Sequence, residues 1–518
     1  MADLKGYKNL KFCVVHIEED DPKKSWLKIQ EATGNFLTEW GIDGLRAGLD
    51  KYVKTVLIET PYVCEDFRSL HRHFYGRKFR ERTSKCARLH FFRGENLSKG
   101  QILLEGAHED YLGSAVIEPL LVRCIGRTVF DPMKLGHDPD RVHLLSTRFT
   151  NRIGGQLYKI RGYPFRSQNS EATVCAHVTM WGVCRYLSTK FKLYRKHLPF
   201  ELIEMAGRRN GRVVPHHGLS YSDYSEILDR FGCHPVIVSN HGLGAQPFTA
   251  KPNVKIKQSE FVKFQKNLYT YIESGFPLIA SFGGHVVSIV GHTSKGLEEV
   301  SKQLENQTEP VHASELVDQY VVMDDNEFPY QFMARTKENG VPYKRSLDQV
   351  GGIVVPLPDE VYLRPQDVDS FTIEFIKAEP IEGMIAESLK QSDSELPLIY
   401  RPLLTTGASF KEFKLKQLKE NPRDKLPHYH LSLSLPKFIW VIELSSAGLR
   451  GEDKAFGEIL LDATAGKSDL EPIFIRIGEF IARSRGDQSN KDLDYVKSSP
   501  YSTFRQYRHN LGSRANDA

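Results

Sequence analysis

The sequence predicts an α+β fold laid out as several consecutive units, and three observations carry that reading. At 518 residues the chain exceeds what one hydrophobic core organises, so roughly two to four domains are expected. Short β-branched and aromatic runs are interspersed with amphipathic helical stretches, and no P-loop, Rossmann glycine signature or internal repeat accompanies them. Residues 175–187 are apolar around most of a helical circumference (Ala176, Val178, Met180, Trp181, Val183, Cys184, Leu187), as a helix buried in a domain core requires. The composition and breaker residues divide the chain into 1–145, 150–360, 361–484 and a polar, partly disordered tail at 485–518.

Composition narrows the function classes. Hydrophobic residues make up 40% and charged residues 26%, as in soluble globular proteins. The net charge of +5 is small for this length and argues against a dedicated nucleic-acid binder. One stretch, 68–93, mixes basic residues with His71, His73, Tyr75, Phe79 and Phe91; it reads as a solvated face rather than a nucleic-acid surface. The N-terminal MADLKGYKNLKF has no signal-peptide pattern, and the most apolar run, 276–290, is too short and too polar to span a membrane. Seven cysteines form no CxxC pair, which fits a reducing, cytoplasmic setting. The pairs His71/His73 and His216/His217 lack further ligands, so neither a metal nor a cofactor is expected.

In the first unit, strands are expected at 12–17, 55–58, 88–92, 114–121 and 126–130. Helical spacing runs through 24–40 (Trp26, Ile29, Phe36, Trp40) and 66–75. In the central unit the 175–187 helix is followed by a short amphipathic helix after Ser220, closed by Gly232, and by a strand at 235–238. Another amphipathic helix covers 261–274, closed by Gly275. The strand PLIAS, a glycine pair, the strand of GGHVVSIVGH and the strand YVVM come next. Beyond 361 the reading gives strands at 371–376, 436–444 and 455–462, the last two flanking SSAGLRGED as a hairpin. EPIFIRIGEFIARS reads as a strand passing into a helix, and Tyr501, Phe504 and Tyr507 are residues able to dock the tail.

The chemistry concentrates in the central unit. Cys175 stands where a polar loop turns into the buried helix, near the positive end of its dipole, which favours the nucleophilic thiolate. His285 opens a strand, and Asp324, Asp325 and Asn326 end the next one. A thiol with an ordinary pKa of ~8.5 needs a partner to hold it ionised at neutral pH. An imidazole takes that proton and returns it to a leaving group. A third residue fixes the imidazole's orientation. Gln168, just upstream, is a candidate oxyanion donor beside the Cys175 backbone N–H. His177, His292 and Cys184 read as structural.

Four ordered pieces, namely Gln168 before Cys175, GLSYSDYSEILDRFG, ESGFPLIASFGGHVVSIVGH and YVVMDDN, make the central 200 or so residues resemble the papain-like cysteine peptidase clan. Within that clan they resemble the bacteriocin-leader-peptidase branch. The resemblance implies a helix bearing the cysteine packed on an antiparallel sheet, a Cys175–His285–Asp324 triad with Gln168 at the oxyanion, and a protein or peptide substrate. Hydrolysis of a peptide or isopeptide is implied first; acyl transfer, or a non-catalytic scaffold on the same core, is the alternative. The chain departs from the family in three places. Ala176 replaces the glycine that usually follows the cysteine, the Gln168–Cys175 gap is one residue longer, and Asp324 is followed by Asp325 and Asn326 rather than proline, so Asn326 could take the orienting role. A polar insertion at 294–318, between the histidine and aspartate strands, reads as a surface excursion, a lid or an exosite.

Overall fold

Three large sheets, antiparallel except at one edge of the third, follow one another along the chain. The computed structural model describes residues 11–79, 82–169, 171–206, 218–240, 257–337, 342–392, 394, 396–420, 426–483, 494–497 and 502–511. The first sheet contains β1 (Lys11–His16), β2 (Thr55–Tyr62), β3 (Cys86–Phe92), β4 (Tyr111–Ile117) and β5 (Ile125–Phe130), in sequence order from edge to edge. The single helical stretch expected over 24–40 is instead two helices, α1 (Pro22–Ala32) and α2 (Glu39–Leu49). Gly34 and Asn35 take φ of 72° and 61°, left-handed values that terminate α1. Asp21 Oδ1 and Thr38 Oγ1 cap the two helices, accepting from Lys24 N at 3.1 Å and Gly41 N at 3.3 Å. A third helix, α3 (Glu65–His73), follows β2.

Strand β6 (Val142–Leu144) and the two-stranded hairpin of β7 (Thr147–Ile153) and β8 (Gln156–Gly162) lead into the central unit. There α4 (Cys175–Lys190), α5 (Pro199–Met205), α6 (Tyr221–Phe231), β9 (His234–Ser239), α7 (Gln258–Glu273), β10 (Leu278–Ser281) and β11 (Val286–Ser294) succeed one another. The unit continues with α8 (Leu297–Leu304), β12 (Val311–His312), β13 (Val317–Met323), β14 (Gln331–Ala334) and β15 (Gly352–Leu357). The central sheet runs β14-β13-β11-β10-β15-β9, with β6 also paired to β11. Gly291 permits that extra pairing, because a Cβ there would stand 2.4 Å from the His143 carbonyl. As its apolar circumference predicts, α4 is buried from Ala176 to Leu187. It is tied to the sheet where Thr179 Oγ1 donates to the Val286 carbonyl at 3.2 Å.

The third sheet, β12-β16-β17-β19-β20-β21-β22, is formed by β16 (Ile399–Thr406), β17 (Phe438–Ser445), β19 (Gly457–Asp462), β20 (Pro472–Ile477), β21 (Phe480–Arg483) and β22 (Asp494–Lys497), with β12 parallel to β16 at its edge. The short β18 (Lys454–Ala455) pairs with β23 (Phe504–Arg505). Three expectations are corrected here, and the tail docks as its aromatic residues allow. Residues 371–376 belong to the helix Pro365–Ile376, begun by proline at its first turn, with Val368, Thr372 and Ile376 buried one helical turn apart. EPIFIRIGEFIARS makes two strands, β20 and β21, that turn at Gly478 with φ 55°. The insertion at 294–318 is no free excursion: Leu304, Val311, Ala313 and Leu316 are buried, and β12 lends a strand to the C-terminal sheet. The tail docks through its apolar and arginine side chains, with Phe504, Tyr507, Arg508 and Leu511 all buried; Tyr501 lies outside the described residues.

A buried ionic cluster joins the central and C-terminal sheets. Glu273 at the end of α7 is bound by Arg401 of β16, by Arg508 of the tail at 3.4 Å and by His292 at 2.7 Å. Arg401 also holds Glu443 of β17 at 2.6 Å. Arg401→Met would leave two buried carboxylates short of a cation, and removing one partner of such a pair costs about 3–5 kcal/mol. The expected result is a clear drop in the urea midpoint; a midpoint within error of wild type would refute it.

Candidate active site

The site forms where the start of α4 meets the adjacent ends of β11 and β13. The approaching loop is fixed first. Ser167 donates to the Ile125 carbonyl of β5 through both N, at 3.0 Å, and Oγ, at 2.7 Å. Asn169 Oδ1 then gathers the N–H groups of Glu171, Ala172 and Thr173 at 3.2, 2.9 and 2.8 Å. This side-chain turn delivers Val174 as an extended N-cap and Cys175 as the first helical residue. His177 is buried, and its Nδ1 accepts from the Val174 N–H at 3.5 Å, so it caps the helix.

His285 is placed by a tight hairpin. Gly283 and Gly284, between β10 and β11, take φ of 66° and 122°, a pair of positive values that suits glycine, and the Phe282 N–H closes the turn on the His285 carbonyl at 2.8 Å. Because β11 and β13 are antiparallel neighbours with Ser288 opposite Met323, the start of one lies beside the end of the other. His285 Nε2 therefore donates to Asp324 Oδ1 at 2.8 Å. With Nε2 so engaged, Nδ1 is the nitrogen left for Cys175, which is among the groups that raise the ring's pKa.

Asp324 is held on three further sides. Tyr343 Oη donates to its Oδ2 at 2.9 Å, and the Asn326 N–H donates to Oδ1 at 3.0 Å. The Asn326 amide covers the pair, 3.4 Å from Oδ1 and 3.5 Å from Nε2. Asn326 Oδ1 in turn accepts from Arg123 and, at 3.4 Å, from Gln168 Nε2. Gln168 thus borders the cluster with Asn326 as its partner. To serve an oxyanion it would exchange Asn326 for the substrate oxygen.

The electrostatics follow from this packing. Burial works against a charged His285. The Asp324 hydrogen bond, the neighbouring Cys175 side chain and the charges of Asp324 and Asp325 outweigh it and raise its pKa to about 9. Burial likewise opposes a charged Asp324, but His285, the Asn326 N–H and Tyr343 hold its carboxyl below the usual range. Asp325 is the strained neighbour. Burial pushes it up to about 6, neither oxygen finds a well-aligned donor, and Arg123 stands 4.0 Å away. Burial also raises the other buried thiols, Cys64 to about 11 and Cys233 to about 12, while Cys175 is only half-buried. Asp325→Asn removes a negative charge 3.9 Å from the imidazolium, so the His285 pKa should fall. Unit charges this close interact by up to ~4 kcal/mol near a protein surface, so the alkaline limb of Cys175 alkylation should move acid-ward by on the order of one unit. An unmoved limb would count against the assignment.

Among the described residues, the one His/Cys/Asp/Glu group close enough to share a metal ion is His285, Asp324 and Asp325, with ligand atoms within 4.8 Å of one another. His285 Nε2 would first have to give up Asp324. The other histidine candidates separate: His71 Nε2 binds the Arg82 carbonyl at 2.8 Å, while His73 stacks on Phe200 at 4.3 Å. His216 and His217 lie outside the described residues. His292 is buried against Glu273, and Cys184 sits in the core. The basic stretch spends part of its charge internally, as in Arg88–Glu59 at 2.6 Å. Sequence reasoning missed Tyr343, Arg123, Thr179 and Asn169; Asn169 alone carried a local signal, an Asx residue just ahead of a helix. No helix among the described residues is long and apolar enough to cross a membrane. Compared with protein-family models, characterised proteins and solved structures, the chain has no match.

Proposed function

We propose that this protein is a papain-like cysteine hydrolase that cleaves peptide or isopeptide bonds, with Cys175, His285 and Asp324 as its triad. The observation that carries the reading is the His285 ring, bound through Nε2 to Asp324 at 2.8 Å, with Cys175 at the start of α4 among the groups that raise its pKa. The Cys175 thiolate attacks the carbonyl carbon, and the oxyanion is received by the Cys175 N–H, one of the unpaired donors of the first helical turn, with Gln168 as the second donor. The imidazolium gives its Nδ1 proton to the departing amine, leaving a thioester. Neutral His285 then takes a proton from water, whose oxygen attacks the thioester and releases the acid and the thiolate. An amine in place of water gives acyl transfer from the same thioester. Seven free cysteines suit the reducing, cytoplasmic setting proposed with it.

The test is alkylation by iodoacetamide at pH 6–7, located by peptide mass spectrometry, with Cys175→Ala as reference. Cys175 should react at least tenfold faster than Cys184, and added chelator should leave the rate unchanged. Equal reactivity of the two thiols would remove the proposal.

A further inference from the structure

A cavity of about 610 Å³ opens at the end of β11 remote from the triad. His285 precedes β11 and Ser294 ends it, so the two places lie about 30 Å apart along a strand rising ~3.3 Å per residue. One wall comes from the central unit: His143 of β6, Ser294 of β11, and Leu297 and Val300 of α8. The other comes from the C-terminal part of the chain, where the short helix Ala447–Gly451 supplies Arg450 and the tail supplies Arg508. A volume of this size lies within the range of sites that enclose small organic molecules.

The charges on these walls do not balance internally. Arg141, Lys295, Arg450 and Arg508 line the cavity, against Asp140, Glu452 and Asp453. Asp140 is exposed, Glu452 is turned to Lys454 at 2.8 Å, and Asp453 is taken by Arg508 at 3.2 Å. Arg450 has no carboxylate partner among the described residues. Its Nη2 donates to Tyr269 Oη at 3.3 Å, and its buried Nη1 meets no acceptor. The buried Nε of Arg508 meets none either. Burial and the charges of Arg401 and Arg450 hold the Arg508 pKa below its ordinary value, and an anion beside them would relieve that repulsion. Buried donors are almost always paired, so two unpaired guanidinium nitrogens on one cavity call for an acceptor. Beside them the walls are apolar, at Leu297, which is 51% exposed, and at buried Val300 and Leu316.

We infer that this cavity binds a small phosphorylated organic molecule, its phosphate at Arg450 and Arg508 and its carbon portion against Leu297, Val300 and Leu316. A phosphate fits these walls better than a carboxylate does. It offers three acceptor oxygens and up to two negative charges to the planar guanidinium forks, while half-buried Lys295 and exposed Arg141 add charge nearer solvent. The occupant touches both the central unit and the C-terminal part of the chain, so binding ties the two together and stabilises the fold by mass action. Nothing in this depends on the chemistry at Cys175.

The test is isothermal titration calorimetry of phenyl phosphate into the full chain, with inorganic phosphate, benzoate and phenol titrated in parallel. Phenyl phosphate should bind saturably at one site, at least tenfold more tightly than each of the other three. Arg450→Gln, at a half-buried side chain that donates to a tyrosine hydroxyl and to no carboxylate, should weaken it at least tenfold. Leu297→Asp sets a like charge at an exposed position of the wall, away from the core, and should weaken it as much. Cys175→Ala and exposed Lys437→Gln should bind as the wild type does. Absence of saturable binding at millimolar phenyl phosphate would overturn the proposal, and so would an affinity that survives both Arg450→Gln and Leu297→Asp. Benzoate or inorganic phosphate matching phenyl phosphate would overturn the ligand class. Binding lost in Cys175→Ala would place the ligand at the triad and overturn the site.

Discussion

His285→Ala is expected to slow Cys175 alkylation at pH 7 by up to about 30-fold and to lower peptide turnover further, by about 10²–10⁴ in all. The two readouts differ for a physical reason. A thiol with a pKa of ~8.5 is only a few per cent ionised at pH 7, so losing an imidazolium partner removes at most the remaining factor from alkylation. Turnover also loses the acid that protonates the leaving amine and the base that activates water, each part of the general acid–base contribution. Asp324→Asn should retain the space and an amide oxygen able to accept from Nε2, but surrender the carboxylate charge, and with it much of the elevation of the His285 pKa to about 9. Its turnover should fall by ~10² or more, with the alkaline limb moving toward neutrality. Combining Asp324→Asn with His285→Ala should add little to His285→Ala alone, because groups acting as one unit are not additive. Losses that multiplied in the double variant would mean that Asp324 acts elsewhere than through His285.

The parts of this arrangement that the sequence displays are those written in local pattern. The apolar circumference of 175–187 marks a buried helix, and the burial of every residue from Ala176 to Leu187 matches it. Gly283-Gly284 ahead of alternating apolar residues marks a hairpin, and the paired positive φ values require those glycines. What the sequence hides is long-range. Tyr343 reaches Asp324 from a stretch without periodicity, and Arg123 reaches Asn326 across 203 residues, so neither has a local signature. The choice among Asp324, Asp325 and Asn326 was equally invisible. Which of three consecutive polar residues meets the ring depends on the register of β13 against β11, and the Ser288–Met323 pairing turns Asp324 toward it. The misread helix at 365–376 and the misread strand at β21 show the same limit, since short apolar runs carry both periods until neighbours bury one face.

The fold as a whole should lose stability steeply between about pH 6 and pH 4, through histidines that have no part in the chemistry. His90, His143, His292, His312 and His430 are all buried, and burial depresses each below its ordinary value, His90 to about 4 and His312 to about 3. Their carboxylate neighbours are already served by stronger cations: Glu59 by Arg88, Glu273 by Arg401 and Arg508, and Glu458 by Lys414 at 2.8 Å. Protonating the rings therefore gains little inside the fold. The unfolded chain binds protons at all five near pH 6.5 while the folded chain refuses them, so stability falls as pH drops below that value. Each refused proton is worth about 1.4 kcal/mol per pH unit, and the contributions of the five rings share one sign. His285 has the opposite sign: its raised pKa stabilises the fold fully below about 6.5 and loses that contribution as pH rises through about 9. Urea midpoints measured from pH 7.5 to 4.5 should therefore collapse below pH 6, and His143→Gln, which preserves a donor toward Ser294, should flatten the slope by about one proton. A midpoint constant from pH 7.5 to 5 would show that these rings are solvated or charged in the folded protein, contrary to their burial.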